Sequence, residues 1–357
     1  MRAGGGWWGT MAEIRLENLG HAYGSGGYAL KPLTMTWADG QAYALLGPSG
    51  CGKSTMLNII SGLLRPSEGR VLFDGQDVTA RDTGQRNIAQ VFQVPVIYRS
   101  MTVADNLAFP LVCRKVPQGV IAKRVERIAE RLGLAPMLRK PANALTADQK
   151  QLVSLGRGLV REDGSAILLD EPLTVIDPQM KFDLRKTLKQ INEEFRLTMV
   201  LVTHDQNEAM TFAKTVIVMN HGEVIQAGSP QDLFDRPATD YVGYFIGSPA
   251  MNFLPAVREG DRVTVPGTGL SRAAPMDAPR DDLTLGFRPE HAMRGDGLTG
   301  TVTRVWYEGA DQVLALSLGT ISLRIRVGTG SDAMGTQVQF SVPEDRLRLY
   351  HQGRLVA

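Results

Sequence analysis

Apolar residues are arranged differently in the two parts of this chain. From about residue 12 to residue 244, short unbroken apolar runs alternate with stretches in which apolar positions recur every three or four residues. The runs 42–46, 166–169, 199–202 and 216–219 carry no charge and predict strands buried on both faces. Helical spacing covers the segment after residue 54 and residues 120–132, 148–160 and 180–196. This alternation predicts an α/β domain with a largely parallel sheet. From Gly247 onward the pattern changes to short β-rich runs at 300–307, 312–318, 322–327, 337–342 and 346–350, set apart by Gly, Pro and Asp. Regular short strands with turn signals predict a small all-β barrel. The expected domains are 12–244 and 245–357. Residues 1–11 are Gly-rich, lack the apolar core of a signal peptide, and read as a disordered extension. A strand-like run, 13–16, follows Met11 directly, which makes Met11 a candidate initiator.

Composition excludes several classes. Charge is balanced, 39 basic against 37 acidic residues, and no basic tract offers a stripe for nucleic acid. Cys51 and Cys113 are too few for a disulfide scaffold and suit a reducing compartment. No apolar run approaches the roughly 18 residues that span a bilayer.

The first chemical motif is Gly47-Pro48-Ser49-Gly50-Cys51-Gly52-Lys53-Ser54-Thr55, which fits G-x-x-x-x-G-K-[ST]. It lies between a predicted strand and a predicted helix. Glycines let backbone N–H groups turn toward an anion, and the helix start adds its dipole. Lys53 is placed to reach β- and γ-phosphates, and the Ser54 hydroxyl to ligate Mg2+. Cys51 sits inside the loop, so a thiol adduct there is expected to block nucleotide. A second motif ends the apolar run 166–169 in Asp170-Glu171-Pro172. Both carboxylates fall at the C-terminal edge of a strand, where open α/β sheets bind ligands. Asp170 suits Mg2+, directly or through water, and Glu171 suits polarisation of an attacking water. Together the two motifs point to a nucleoside triphosphatase.

With these motifs in order, the chain resembles the ATP-binding cassette family. Tyr23, in His21-Ala22-Tyr23-Gly24, takes the position of the aromatic that stacks on adenine. Gln93, in Val91-Phe92-Gln93, matches a glutamine that contacts Mg2+ and the attacking water. Asp177 sits where family members carry an acidic loop that crosses the dimer interface, and His204, after the apolar run 199–202, matches the histidine that contacts the γ-phosphate. The other four histidines take a structural reading.

The chain departs from the family at its signature, where Leu-Ser-Gly-Gly-Gln is expected and Leu145-Thr146-Ala147-Asp148-Gln149 stands. In the family this helix start clasps the γ-phosphate of ATP held by the opposite subunit. Ala147 preserves an N–H, but Asp148 turns a negative charge toward a polyanion. At about 5 Å and an effective dielectric near 20, that repulsion costs roughly 3 kcal/mol before screening. Locally the same residues make a good helix start. Thr146 and Gln149 form a capping box, and Asp148 complements the helix dipole.

The later stretch Met219–Pro230 with Phe234–Pro237, the run Tyr244–Leu254, and Arg288-Pro289-Glu290-His291 resemble importer ATPases of the maltose and glycerol-3-phosphate type, with an OB-like regulatory domain. The resemblance implies an ATPase at the cytoplasmic face of a bacterial inner membrane. Its implied partners are two membrane permeases, an extracytoplasmic solute-binding protein and a second ATPase subunit, non-identical given the altered signature. Residues 94–111 are expected to form the groove for a permease helix. The stretch Val91–Tyr98, the run Asn106–Leu111 and the altered signature together resemble a glycerol-importing subgroup. A catalytically weak regulatory subunit and a homodimeric sugar or glycerol-3-phosphate importer ATPase remain open as alternatives.

Overall fold

The computed structural model describes residues 12–24, 26–161, 164–276 and 278–356; the expected extension, residues 1–11, lies outside them. Contacts divide the chain into two compact units between Pro230 and Gln231.

The first unit is α/β, as expected. Its six-stranded sheet runs in the order Glu223–Gly228, Thr215–Asn220, Ala42–Leu46, Met199–Thr203, Ala166–Asp170, Ile88–Val91. All neighbours are parallel except the first pair. The four apolar runs form its centre, and Leu45, Leu168, Val200 and Ile217 are buried in one core. Leu46 is level with Thr203, Asp170 with Val202, and Val91 with Leu169. Chain leaving these four strands therefore emerges at a common edge. The predicted helices appear as Gln118–Arg131, Ala147–Leu159 and Pro178–Phe195. The last two begin a residue or two early because Thr146 and Asp177 cap them.

A second, antiparallel sheet joins Tyr28–Trp37, Ile14–Ala22, Glu68–Phe73 and Gln76–Asp77. Only its start, 13–16, shows in the hydrophobic pattern. Register shifts after Leu16 and Leu19 break the alternation that marks a half-buried strand. Its inward residues Ile14, Leu16 and Val71 share the core of the parallel sheet. No helix among the described residues is long and apolar enough to cross a membrane.

The second unit is all-β around a core of its own. One sheet has the order Ser271–Ala273, Arg262–Thr264, Asn252–Glu259, Leu283–Phe287, Arg348–His351, Arg354–Leu355. The other has the order Ile321–Gly328, Asp311–Leu318, Met293–Glu308, Gln337–Ser341. The expected boundary at 244/245 differs from the observed division. Segments on the N-terminal side of 245 pack with the β unit, and Arg288 is the reason. Its buried guanidinium donates from Nε to Phe234 O (3.0 Å) and from Nη1 to Gly243 O (2.9 Å) and Ile246 O, and it covers the Phe234 ring at 4.4 Å. Burial pulls its pKa down to about 10. Arg348 Nε donates to Asp235 O (2.9 Å), and the Tyr350 hydroxyl to Pro237 O (3.0 Å). The helices Pro230–Asp235 and Asp240–Phe245 are thus clasped by side chains from residues 288–350.

Arg288→Met fills the same space but leaves several carbonyls without a donor. It is expected to destabilise the second unit by about 3 kcal/mol. Urea unfolding of the full chain, followed by hydrogen exchange of peptides from residues 252–350 and read by mass spectrometry, would measure this.

Candidate functional site

The glycine loop joins Ala42–Leu46 to the helix Lys53–Ser61. Gly50 and Gly52 have φ of 78° and 102°, where L side chains are strained. Gly47 is required for a different reason. A Cβ there would lie 2.3 Å from Met219 O and 2.7 Å from Cys51 Sγ. Lys53 is buried, and its ammonium donates to Gly47 O (2.7 Å) and Pro48 O (2.8 Å). Pro48, Ser49 and Ser54 are exposed and Thr55 half-buried.

The acidic strand end faces this loop. Ser54 Oγ lies 3.5 Å from Asp170 Oδ1. Burial, then the adjacent Glu171 carboxylate, raises the Asp170 pKa, opposed by Ser54 and Lys53. Glu171 holds the left-handed conformation, φ 45°, although it is not glycine. That costs on the order of 1 kcal/mol and turns its carboxylate out of the strand. Glu171 Oε2 is a meeting point. Gln93 Nε2 donates to it at 3.4 Å, Thr174 Oγ1 at 3.3 Å, and His204 Nδ1 lies at 3.2 Å. His204 is held by its neighbours: Thr203 Oγ1 donates to the buried Glu208, and Asp205 caps the helix Gln206–Phe212. Lys53, Ser54, Gln93, Asp170, Glu171 and His204 therefore converge at one sheet edge.

The remaining predicted residues stand apart. Tyr23 is exposed at 57% and meets the His21 ring edge-on at 4.5 Å. Asp177 caps the helix Pro178–Phe195 by accepting from Gln179 N (2.9 Å). The signature residues form the expected capping box: Thr146 Oγ1 accepts from Gln149 N (3.3 Å), and Gln149 Oε1 from Thr146 N (3.1 Å). No hydrogen bond or ion pair among the described residues joins Thr146, Ala147, Asp148 or Gln149 to the glycine loop.

Three side chains in or just after the signature helix escaped the sequence reading. Gln151 is buried and donates to Phe92 O and Pro172 O, Arg157 donates to Val96 O and covers the Tyr98 ring at 4.6 Å, and Arg161 donates to Ile88 O (2.8 Å). No periodic signal marked them: Gln151 and Arg157 are six positions apart and point to different sides of the helix, and Arg161 lies beyond its end. Beside them is a cleft of about 350 Å3, lined by Phe92, Val96, Phe109, Pro110, Cys113 and Arg157.

Comparison with known proteins places these features. A profile described as ABC transporter matches residues 30–174, and one described as MalK OB fold domain matches residues 247–292. The ATP-binding protein YcjV of Escherichia coli O157:H7 is 36% identical over 333 residues, spanning 90% of this chain and 92% of the relative. The chain belongs to the ABC transporter ATP-binding family. The sn-glycerol-3-phosphate import ATP-binding protein UgpC of Chromohalobacter salexigens is 41% identical over 282 residues, covering 79% of this chain and 76% of the relative. The solved structure of cbiO1 from Clostridium perfringens, part of the cbiONQ complex, is 32% identical with a TM-score of 0.58, covering 62% of this chain and 90% of that one. The cassette and the OB-type second domain are thus as expected, and the protein is an ABC ATPase.

The donor set at Ser54 and Asp170, all oxygen, suits a hard divalent cation. Among the described residues no group of three or more His, Cys, Asp or Glu could hold a metal. A cation here would take its other ligands from water and phosphate oxygens.

Burial pushes the Cys51 thiol pKa up despite Lys53, whose Nζ is 3.8 Å from the sulfur, whereas Cys113 is exposed. The thiolate is the reactive form, so a raised pKa slows alkylation near neutral pH. Maleimide is expected to label Cys113 first and Cys51 slowly, with Cys51 labelling accelerating as pH rises. Peptide mass spectrometry across pH would show it.

Proposed function

We propose that this protein powers a bacterial importer of a small carbohydrate or polyol, glycerol or a related solute, from the cytoplasmic face of the inner membrane. The observation that carries the reading is the convergence of Lys53, Ser54, Asp170, Gln93, Glu171 and His204 at one sheet edge. The import role is supported by similarity to the sn-glycerol-3-phosphate import proteins and by the MalK-type OB domain. Its partners would be two permeases and an extracytoplasmic binding protein, with a permease helix seated in the cleft between Phe92 and Cys113.

ATP is the substrate of the loop. Backbone N–H groups of residues 47–55 and the Lys53 ammonium would bind its β- and γ-phosphates, and Tyr23 would stack on the adenine. Mg2+, held through Ser54, Asp170 and Gln93, would neutralise phosphate charge. Glu171 would orient a water for in-line attack on the γ-phosphorus, with the bond to ADP breaking on the far side. Gln93 and His204 fix that carboxylate from two directions, so its lone pairs face one way without further reorganisation. Glu171→Gln is expected to lower ATP turnover by about 100-fold or more while MgATP binding persists. Lys53→Ala should abolish binding itself. Turnover and equilibrium nucleotide binding of the assembled transporter separate the two effects, and an unchanged turnover in Glu171→Gln would favour a regulatory subunit.

Opposite each nucleotide, the second ATPase subunit would supply the closing helix start. Asp148 at that position favours a non-identical partner, because two copies of this chain would place Asp148 against both γ-phosphates. Asp148→Gly is therefore expected to raise ATP turnover of the self-paired chain by about ten-fold. Rapid ATP-dependent homodimer turnover in the unmutated chain would overturn the heteromeric reading.

A further inference from the structure

Gln151 lies in the first turns of the signature helix Ala147–Leu159 and is completely buried. Its amide hydrogen-bonds to backbone rather than to another side chain. The amide nitrogen donates to Pro172 O at 3.0 Å and to Phe92 O at 3.3 Å. Both partners are carbonyl oxygens, so the NH2 group must be the end that faces them. The carbonyl oxygen Oε1 is buried with no hydrogen-bond partner among the described residues. What the side chain offers its surroundings is therefore its two N–H groups.

The two bonded carbonyls are informative. Phe92 directly precedes Gln93, and Pro172 directly follows Glu171. Gln93 and Glu171 touch only through a 3.4 Å contact between exposed or half-exposed groups, Nε2 to Oε2. Their strands, Ile88–Val91 and Ala166–Asp170, are neighbours, but ladder pairing stops at Val91 and Leu169. Beyond that level no described backbone hydrogen bond joins the segment at 92–93 to the segment at 171–172. The Gln151 amide bridges them there, as a rung contributed by a helix rather than a strand.

We propose that Gln151 is a positioning residue for ATP hydrolysis: its amide fixes the spacing between the Gln93 and Glu171 segments and ties both to the signature helix. The inference rests on the ATPase reading of Glu171 and Gln93. Gln151 does not touch substrate. It acts by setting where the Glu171 carboxylate and the Gln93 carboxamide stand relative to one another, and it does so from the helix whose start serves the opposite subunit's nucleotide. Movement of that helix is thereby felt at this chain's own attacking water.

Two substitutions separate positioning from packing. Gln151→Met nearly preserves volume and length but donates nothing. Gln151→Asn is a methylene shorter and leaves a gap, yet keeps an NH2 that reaches one of the two carbonyls. A packing role makes Met the better replacement; a positioning role makes Asn the better one. In the assembled transporter, kcat is expected to fall in the order wild type, Asn, Met, with Met lower than wild type by about 10- to 100-fold. KM for MgATP and equilibrium binding of a fluorescent ATP analogue should stay within about two-fold, since Lys53 and the glycine loop are untouched. The inference is overturned if Met equals or exceeds Asn in kcat, if both match wild type, or if the loss appears in KM and binding instead. A wild-type transporter that neither binds nor hydrolyses MgATP would defeat the ATPase reading itself, a result distinct from any of these.

Discussion

The parallel hydrogen-bond ladder at the centre of the first unit decides where everything else falls. Leu46, Thr203, Asp170 and Val91 are the last paired residues of four adjacent strands. Each ladder ends at nearly the same height, so Gly47, His204, Glu171 and Gln93 arrive at one rim from sequence positions far apart. A slip of one residue in any strand would turn its functional side chain to the other face and bury a polar group in the core. Full burial of Leu45, Leu168 and Val200 is what forbids the slip. The apolar runs and the chemistry are therefore one specification: the first fixes register, and register delivers the second.

Two kinds of backbone then finish the rim. Glycines at 50 and 52 allow the loop to curl where side chains would strain, and Gly47 admits the Met219 carbonyl to a place no Cβ could share. Glu171 takes a left-handed turn without the glycine that such a turn prefers. Here the carboxylate is needed, and its contacts with Gln93, Thr174 and His204 hold the turn. The signature segment has the reverse priority. Thr146 and Gln149 cap the helix well, so the segment is locally stable whatever becomes of its grip on phosphate.

Much of this was legible in the sequence, and for identifiable reasons. The runs 42–46, 166–169, 199–202 and 216–219 appear as central strands because doubly buried strands tolerate no polar residue. The capping box at 146–149 appears because it depends only on neighbours. Strands such as Ile14–Ala22 and Asn252–Glu259 were obscured by register shifts, half-exposure and an embedded Pro255. The contacts of Gln151, Arg157 and Arg161 were hidden in large part because each side chain donates to a backbone carbonyl, and every residue type supplies one. Arg288 was noticed as part of a motif, but what it grips is backbone too, and this is why residues 231–244 join the β unit.

That last arrangement bears on how the molecule can be taken apart. A cut after residue 244, where composition changes, would strip away both short helices and leave Arg288 charged in a pocket emptied of most of its acceptors. Severing at 230 would keep guanidinium and carbonyls together. The natural seam of this protein thus lies ahead of its linker helices, and modular exchange with other transporters would have to respect that seam rather than the one suggested by the alternation of polar and apolar residues.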